Sequence, residues 1–288
     1  MADESKEMSF WEHLDELRKV IFRAAAVIGV FMVVVFCCKS IVFDHIIFAP
    51  RSSDFIIYQW LNALAHHYNF LSSLEVSPFA IELINIEMSA QFFTHISVSF
   101  WMGFVLAFPV VLYQIWLFVR PALYVHEKKA IVWAFCCCSI LFFIGVLVGY
   151  FFVFPLTIKF LGTYVVSDLV ANTISLQSYI SMFTWLILVM GIVFEMPVLM
   201  YLLSRVGIVS RKLLRKYRRH AIVILMVLAA AITPSGDAFT MMVVAAPLYL
   251  LYEFSILVCK KETPEEDDEE SKEGKESKED AKKEEALV

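Results

Sequence analysis

Residues 88–119, MSAQFFTHISVSFWMGFVLAFPVVLYQIWLFV, decide the fold class, because this long stretch contains no Asp, Glu, Lys or Arg. An α-helix needs about 20 apolar residues to cross a bilayer core about 30 Å thick. A transmembrane β-strand would instead be one of several segments of about 10 residues with alternating polarity, whereas this stretch is apolar throughout. The sequence therefore predicts an all-α, polytopic membrane protein.

Apolar runs of this kind recur along the chain and are separated by charged segments. They predict six transmembrane helices, at about 20–43, 93–118, 130–156, 172–204, 219–233 and 238–259. The last two runs have uninterrupted apolar stretches of only about 13–15 residues, or roughly 20–23 Å of helix. We assign both as spans because they form a hairpin around Thr233-Pro234-Ser235-Gly236-Asp237. Their shortness predicts a locally thinned bilayer.

Composition supports a membrane protein and argues against an ordinary water-soluble enzyme. The chain is 60% hydrophobic and 18% charged, with a mean hydropathy of +0.71, whereas soluble domains are about 45–50% apolar and about 25% charged. Residues 262–288 hold 13 of the 29 acidic residues and 5 of the 24 basic ones. We therefore expect segment 260–288 to be a disordered cytoplasmic tail. Nucleic-acid binding is not predicted, because no basic face interleaved with aromatic residues is present.

The distribution of Lys and Arg predicts the orientation. With the N-terminus in the cytoplasm, 21 basic residues lie inside and only Lys39, Arg51 and Lys159 lie outside, as the positive-inside rule requires. Both termini are then cytoplasmic. Residues 1–19 form a charged amphipathic helix on the inner surface, which also argues against a cleaved signal peptide. Residues 44–91 form an external cap loop with short surface helices.

Two carboxylates are predicted at the cytoplasmic rim. Glu16 lies on the amphipathic helix, and Glu127 lies in the loop between spans two and three. Each can be an ordinary solvated surface charge. Together they can also receive two guanidinium groups, because a carboxylate and a guanidinium form a forked pair that a lysine cannot reproduce.

Glu195 lies inside span four, in the segment Gly191-Ile-Val-Phe-Glu-Met-Pro197. A charged group in the middle of a membrane helix costs about 2.5–3.5 kcal/mol on insertion scales, so Glu195 needs a polar partner or a proton. Gln114 in span two is a candidate neighbour. Pro109 and Pro197 are predicted to bend spans two and four. A proton-coupled small-solute transporter that uses Glu195 is an alternative function.

A membrane enzyme is a weaker alternative. The sequence has no P-loop, no His-Glu-x-x-His and no Gly-x-Ser-x-Gly motif, and no His pairs convincingly with a Ser or Thr inside the spans. The six cysteines lack zinc-site spacing and fit small buried apolar residues. We therefore predict no catalytic residue, no metal and no cofactor.

An ordered set of short segments resembles the TatC family, the multispanning subunit of the twin-arginine protein translocase. The matching segments are His13-Leu-Asp-Glu-Leu-Arg-Lys19, Phe48-Ala-Pro50, Phe92-Phe93-Thr94, Pro109-Val-Val-Leu-Tyr-Gln-Ile-Trp116, Pro121-Ala-Leu-Tyr-Val-His-Glu127, Phe152-Val-Phe-Pro155, Phe194-Glu-Met-Pro197 and Thr233-Pro234 with Asp237. They occur in the order of the family and cover residues 9–259.

The resemblance implies a non-enzymatic receptor and core subunit in the bacterial cytoplasmic membrane. It would bind twin-arginine signal peptides through Glu16, Arg18 and Glu127. It would contact single-span subunits of the TatA/TatB type through intramembrane polar residues, and it would support proton-gradient-driven export of folded proteins within an oligomeric complex in contact with lipid. The implied partner-facing residues are Glu195, Gln114, Thr233 and Asp237, and the implied structural or cap residues are Pro50, Phe93, Pro109, Pro197 and Pro234.

Overall fold

The structure is a computed structural model, and it describes residues 10–67, 77–119, 128–167, 169, 172–205 and 207–259. It is built almost entirely of helices, which confirms the all-α prediction. The α-helices are α1 (Phe10–Cys37), α2 (Ile56–His67), α3 (Ala90–Val119), α4 (Lys128–Val148), α5 (Phe154–Thr163), α6 (Leu176–Val193), α7 (Met196–Arg205), α8 (Arg211–Lys216), α9 (Arg218–Ile232) and α10 (Ala238–Val258).

Several short elements connect these helices. A π-helical segment Ile41–Ile47 and a 3-10 turn Ala49–Arg51 follow α1, and a second π-helical segment, Gly149–Val153, joins α4 to α5. Two short parallel strands, β1 (Leu83–Ile84) and β2 (Ile174–Ser175), link the segment before α3 to the start of α6.

Within the described residues, five helical stretches are long and apolar enough to cross a membrane. They are Leu14–Cys37, Ala90–Phe118, Phe135–Thr163, Leu176–Arg205 and Ala238–Val258. The helix at the predicted fifth span, α9, has 15 residues, or about 22 Å at 1.5 Å per residue. The six-span count and the cytoplasmic position of both termini therefore stay predictions.

The N-terminal region differs in detail from the expected division at residue 19. The amphipathic segment and the first span form one continuous helix, α1, which ends at Cys37 rather than at residue 43. No Gly or Pro occurs between residues 10 and 28, so nothing in the local sequence interrupts the helix. Residues 1–9 and the tail 260–288 lie outside the described residues.

Close packing of α4 against α6 depends on glycines. A Cβ atom added at Gly145 would lie 2.6 Å from the Met190 carbonyl oxygen, and one added at Gly191 would lie 2.8 Å from the Phe142 ring. Gly149, four residues after Gly145, faces the same helix. Small residues at this spacing let two membrane helices approach closely. The contact holds the C-terminal end of α6 in place.

The segment between α1 and α3 forms a cap over one end of the bundle, with α2 as its main helix. Tyrosine hydroxyls fasten it to the long helices, each donating to a backbone carbonyl on the other side of the contact. The pairs are Tyr58 to Pro155 at 2.7 Å, Tyr150 to Ile46 at 2.9 Å and Tyr179 to Ile47 at 2.7 Å.

The hairpin of α9 and α10 is tied both within itself and to α6. Arg218 at the start of α9 forms an ion pair with Glu253 of α10 at 2.8 Å, which neutralises the single charge of the last predicted span. The indole nitrogen of Trp185 on α6 donates to the Ile232 carbonyl at the end of α9, at 2.7 Å. These contacts hold the short helix α9 against its neighbours.

Candidate functional site

Glu195 lies in a break of the fourth span. The helix α6 ends at Val193 and α7 begins at Met196, so Phe194 and Glu195 form a turn between them. Pro197 is the second residue of α7, a position where its missing N–H costs no helical hydrogen bond. The structure thus has an interruption of the helix at the position where the sequence predicts a bend.

The carboxylate of Glu195 is buried without a strong hydrogen-bond donor among the described residues. Its polar neighbour is the Cys138 thiol of α4, which is only a weak donor. The side-chain oxygen of Gln114 on α3 is also buried without a partner in the described part of the chain, so no hydrogen bond joins it to Glu195. Buried polar groups are almost always paired, and an unpaired carboxylate inside a membrane protein marks a candidate functional site.

Glu16 and Arg18 lie on the exposed first turns of α1. The Lys19 ammonium contacts the Glu16 carboxylate at 2.7 Å, and both side chains are substantially exposed. The Arg18 guanidinium lies over the Phe22 ring, 5.9 Å from its centroid. Glu127 lies outside the described residues, so its predicted pairing with Glu16 in one binding site stays a prediction.

Thr233, Pro234 and Asp237 shape the turn between α9 and α10. Thr233 ends α9, and its hydroxyl donates to the Ala230 carbonyl at 3.3 Å. Asp237 is the N-cap of α10, where its carboxylate accepts the Thr240 N–H at 2.7 Å and the Ser235 hydroxyl. Burial raises the pKa of Asp237, but these hydrogen bonds outweigh it and bring the pKa below its usual value. Thr233 and Asp237 thus stabilise the turn itself.

The remaining predicted structural residues lie in three different places. Pro50 is buried in the 3-10 turn, where its carbonyl accepts the Tyr58 hydroxyl at 3.3 Å. Pro109 lies within α3. Phe93, at the start of α3, is largely exposed and lines a cavity of about 370 Å³ between α3 and α6.

Sequence reasoning missed three of the contacts that position this region. The sequence predicts a small buried apolar residue at Cys138, whereas its place beside Glu195 depends on which face of α4 meets α6. The ion pair of Arg218 is partly predictable, because a charge such as Glu253 inside a span requires a counter-charge nearby. The hydrogen bond of Trp185 is also partly predictable, because a buried indole N–H usually finds an acceptor. Among the described residues, no group of three His, Cys, Asp or Glu is placed to hold a metal ion.

These features define a multi-pass helical membrane protein with an unpaired carboxylate at a helix break within its fourth span. Residues 12–247 match the family described as Sec-independent protein translocase protein (TatC). The chain belongs to the TatC family. It is therefore a multi-pass protein of the cytoplasmic membrane and a component of the twin-arginine translocase, which works with other Tat subunits.

Individual relatives cover nearly the whole chain. It is 38% identical over 266 residues to the Sec-independent protein translocase protein TatC of Blattabacterium sp. subsp. Periplaneta americana. The matched region covers 90% of this chain and 97% of the relative. The chain is 32% identical over 263 residues to the protein of the same name from Carboxydothermus hydrogenoformans, covering 91% of this chain and 97% of the relative.

Solved structures show the same fold. Two crystal structures titled as the twin arginine translocase receptor TatC, one of them in DDM, are each 34% identical to this chain and cover 86% of it. Their TM-scores are 0.64 and 0.66, and the chain covers 97% and 100% of their respective lengths.

Proposed function

We propose that this chain is the receptor and core subunit that binds twin-arginine signal peptides at the cytoplasmic face of the translocase. The observation that carries the proposal is the likeness to crystal structures titled as a twin arginine translocase receptor, at 34% identity and over 86% of the chain. Membership of the TatC family favours this function over the alternative, a proton-coupled small-solute transporter that uses Glu195.

The proposed binding step is an exchange of cations on Glu16. In the structure this carboxylate pairs with Lys19, and both side chains are exposed, so solvent screens the pair. An arriving guanidinium displaces the ammonium at little cost and forms a forked pair with two parallel hydrogen bonds. Glu127 receives the second arginine, and Arg18 borders the site.

The proposed partner-binding step involves the polar groups within the spans. Glu195 and Gln114 each have a buried oxygen without a partner among the described residues. A polar side chain on a single-span subunit of the TatA/TatB type can form hydrogen bonds with such groups within the bilayer. In this proposal, assembly of an oligomeric complex around these spans is followed by export of folded cargo, driven by the transmembrane proton gradient.

Crosslinking of a twin-arginine signal peptide to the full chain in membranes tests the receptor site. We expect the Glu16→Gln/Glu127→Gln double variant to lower crosslinking about tenfold or more, because both forked, charge-assisted pairs with the arginines are lost. Asp15→Asn is the matched control, since Asp15 is an exposed carboxylate on the same helix. Undiminished crosslinking in the double variant, or equal crosslinking of a peptide with Lys-Lys in place of Arg-Arg, would refute the proposal.

A further inference from the structure

A pocket of about 560 Å³ opens between the cap and the long helices. Its size is within the range of roughly 300–1,000 Å³ that is common for small-molecule sites. Charged walls come from Lys39, Asp44 and Arg51, and aromatic walls from Phe43, Phe48 and Phe92. The pocket thus combines two cations and one carboxylate with an extensive aromatic surface.

The two cations are unusual for their position in the chain. The predicted topology leaves only three of the 24 Lys and Arg residues outside the cytoplasm, and two of the three, Lys39 and Arg51, line this one pocket. Both side chains are exposed, and neither forms an ion pair with a residue that the structure describes. The Arg51 guanidinium lies over the Phe48 ring, 5.9 Å from its centroid, which holds its planar group at the wall.

The pocket lies at the ends of long apolar helices, where the polar surface of a bilayer is expected. It is formed where α1 has just ended and where α3 and α6 begin, with Gln91 and Leu176 among its lining residues. All three helices belong to stretches long and apolar enough to cross a membrane, and their ends meet at this face of the bundle. Arg and Lys side chains grouped beside transmembrane helices can bind the phosphate of a lipid headgroup.

We propose that this pocket binds the headgroup of a phospholipid that carries an ammonium group, as in phosphatidylethanolamine. Lys39 and Arg51 bind the phosphate, with the guanidinium of Arg51 able to form a forked pair with two phosphate oxygens. Asp44 binds the ammonium. The aromatic rings contact the glycerol and the first carbons of the acyl chains, as interfacial aromatic residues do. The predicted orientation assigns this lipid to the outer leaflet.

Asp44 decides between headgroups of different charge. A phosphatidylglycerol headgroup has the phosphate but no cation, so Asp44 would face an anion without compensation. A zwitterionic headgroup satisfies all three charges of the pocket. The proposal is independent of signal-peptide binding, because its residues lie at the end of the bundle opposite to Glu16.

Native mass spectrometry of the full chain, released from nanodiscs and titrated with dioleoylphosphatidylethanolamine, tests the assignment. We expect the Lys39→Gln/Arg51→Gln double variant to bind the first lipid at least about tenfold more weakly than the unmodified chain, because both cations that contact the phosphate are removed. Lys159→Gln is the matched control, because it removes the third predicted external cation, which does not line the pocket. Asp44→Asn should abolish the preference for phosphatidylethanolamine over dioleoylphosphatidylglycerol.

Several outcomes would overturn the proposal. Equal affinity of the double variant and the Lys159→Gln control would show that the pocket does not hold the lipid. Tighter binding of phosphatidylglycerol by the unmodified chain would overturn the role of Asp44. Displacement of the lipid by millimolar inorganic phosphate would identify a free-anion site instead. A thermal unfolding profile unchanged in all variants ensures that the comparison concerns binding rather than folding.

Discussion

Replacing Gly145 with Ala tests whether the packing of α4 on α6 holds the helix break that carries Glu195. The new Cβ would lie 2.6 Å from the Met190 carbonyl oxygen and 2.7 Å from the Phe194 Cβ atom. Neither atom is the flexible end of a side chain, so the helices must move apart. Overpacking of this kind costs about 1–3 kcal/mol. The same change gains about 1 kcal/mol of helix propensity, so we expect a net loss of about 0–2 kcal/mol.

Gly29→Ala is the matched control for this change. Gly29 lies within α1, and a Cβ added there would meet nothing within 4 Å. The gain in helix propensity is common to the two variants, so the difference between them isolates the packing cost of about 1–3 kcal/mol. Thermal unfolding of the purified chains in one detergent measures it, at about 2–4 °C per kcal/mol for a chain of this order of size. If Gly145→Ala unfolds at the same temperature as Gly29→Ala, the close approach of α4 and α6 does not hold the break.

Three further predictions concern single hydrogen bonds. Asp237→Ala should lower the free energy of unfolding by about 1 kcal/mol, because the N-cap of α10 is lost, while Asp237→Asn should keep it. Since the folded pKa of Asp237 lies below 3.8, the stability due to its charge is present above that pH and is lost as the pH falls below it. The free energy of unfolding of the unmodified chain, relative to that of Asp237→Asn, should therefore fall as the pH drops below 3.8. A difference between the two chains that changes near neutral pH would contradict this. Trp185→Phe should cost about 1 kcal/mol in thermal unfolding through the lost bond to Ile232. Tyr58→Phe should cost a similar amount and make the cap more sensitive to limited proteolysis, and unchanged cleavage would show that the hydroxyl does not fasten it.

Most of the fold is predictable from sequence because it depends on the length and polarity of local runs. The stretch 88–119 gives the helix α3 almost at its observed bounds, and the proline of Phe194-Glu-Met-Pro197 indicates an interruption in the fourth span. Helix continuity is less predictable. The division at residue 19 is absent in α1, because a change from polar to apolar residues does not by itself end a helix.

The candidate site is less predictable than the fold because it depends on which helix faces meet. Glu195 is identifiable from its charge alone, whereas its neighbour Cys138 is 57 positions away in sequence and becomes adjacent only through the glycine contact of α4 with α6. The ion pair of Arg218 with Glu253 likewise requires the hairpin geometry of α9 and α10. Periodicity identifies an apolar face, but it does not say which of several apolar helices covers that face.

The helix break at Glu195 is held by contacts that do not involve the Glu195 carboxylate. The break follows from Pro197 and from the packing of Phe194 against Gly145, and both operate without the carboxylate. The carboxylate itself has only the weakly donating Cys138 thiol beside it among the described residues, so the free-energy cost of its burial is poorly compensated in this part of the structure. A side chain that only stabilised the fold would be paired, as Glu253 is with Arg218. The packed turn therefore acts as a rigid support for an acidic group within the fourth span, and in the proposed function a polar group of a neighbouring subunit pairs with it.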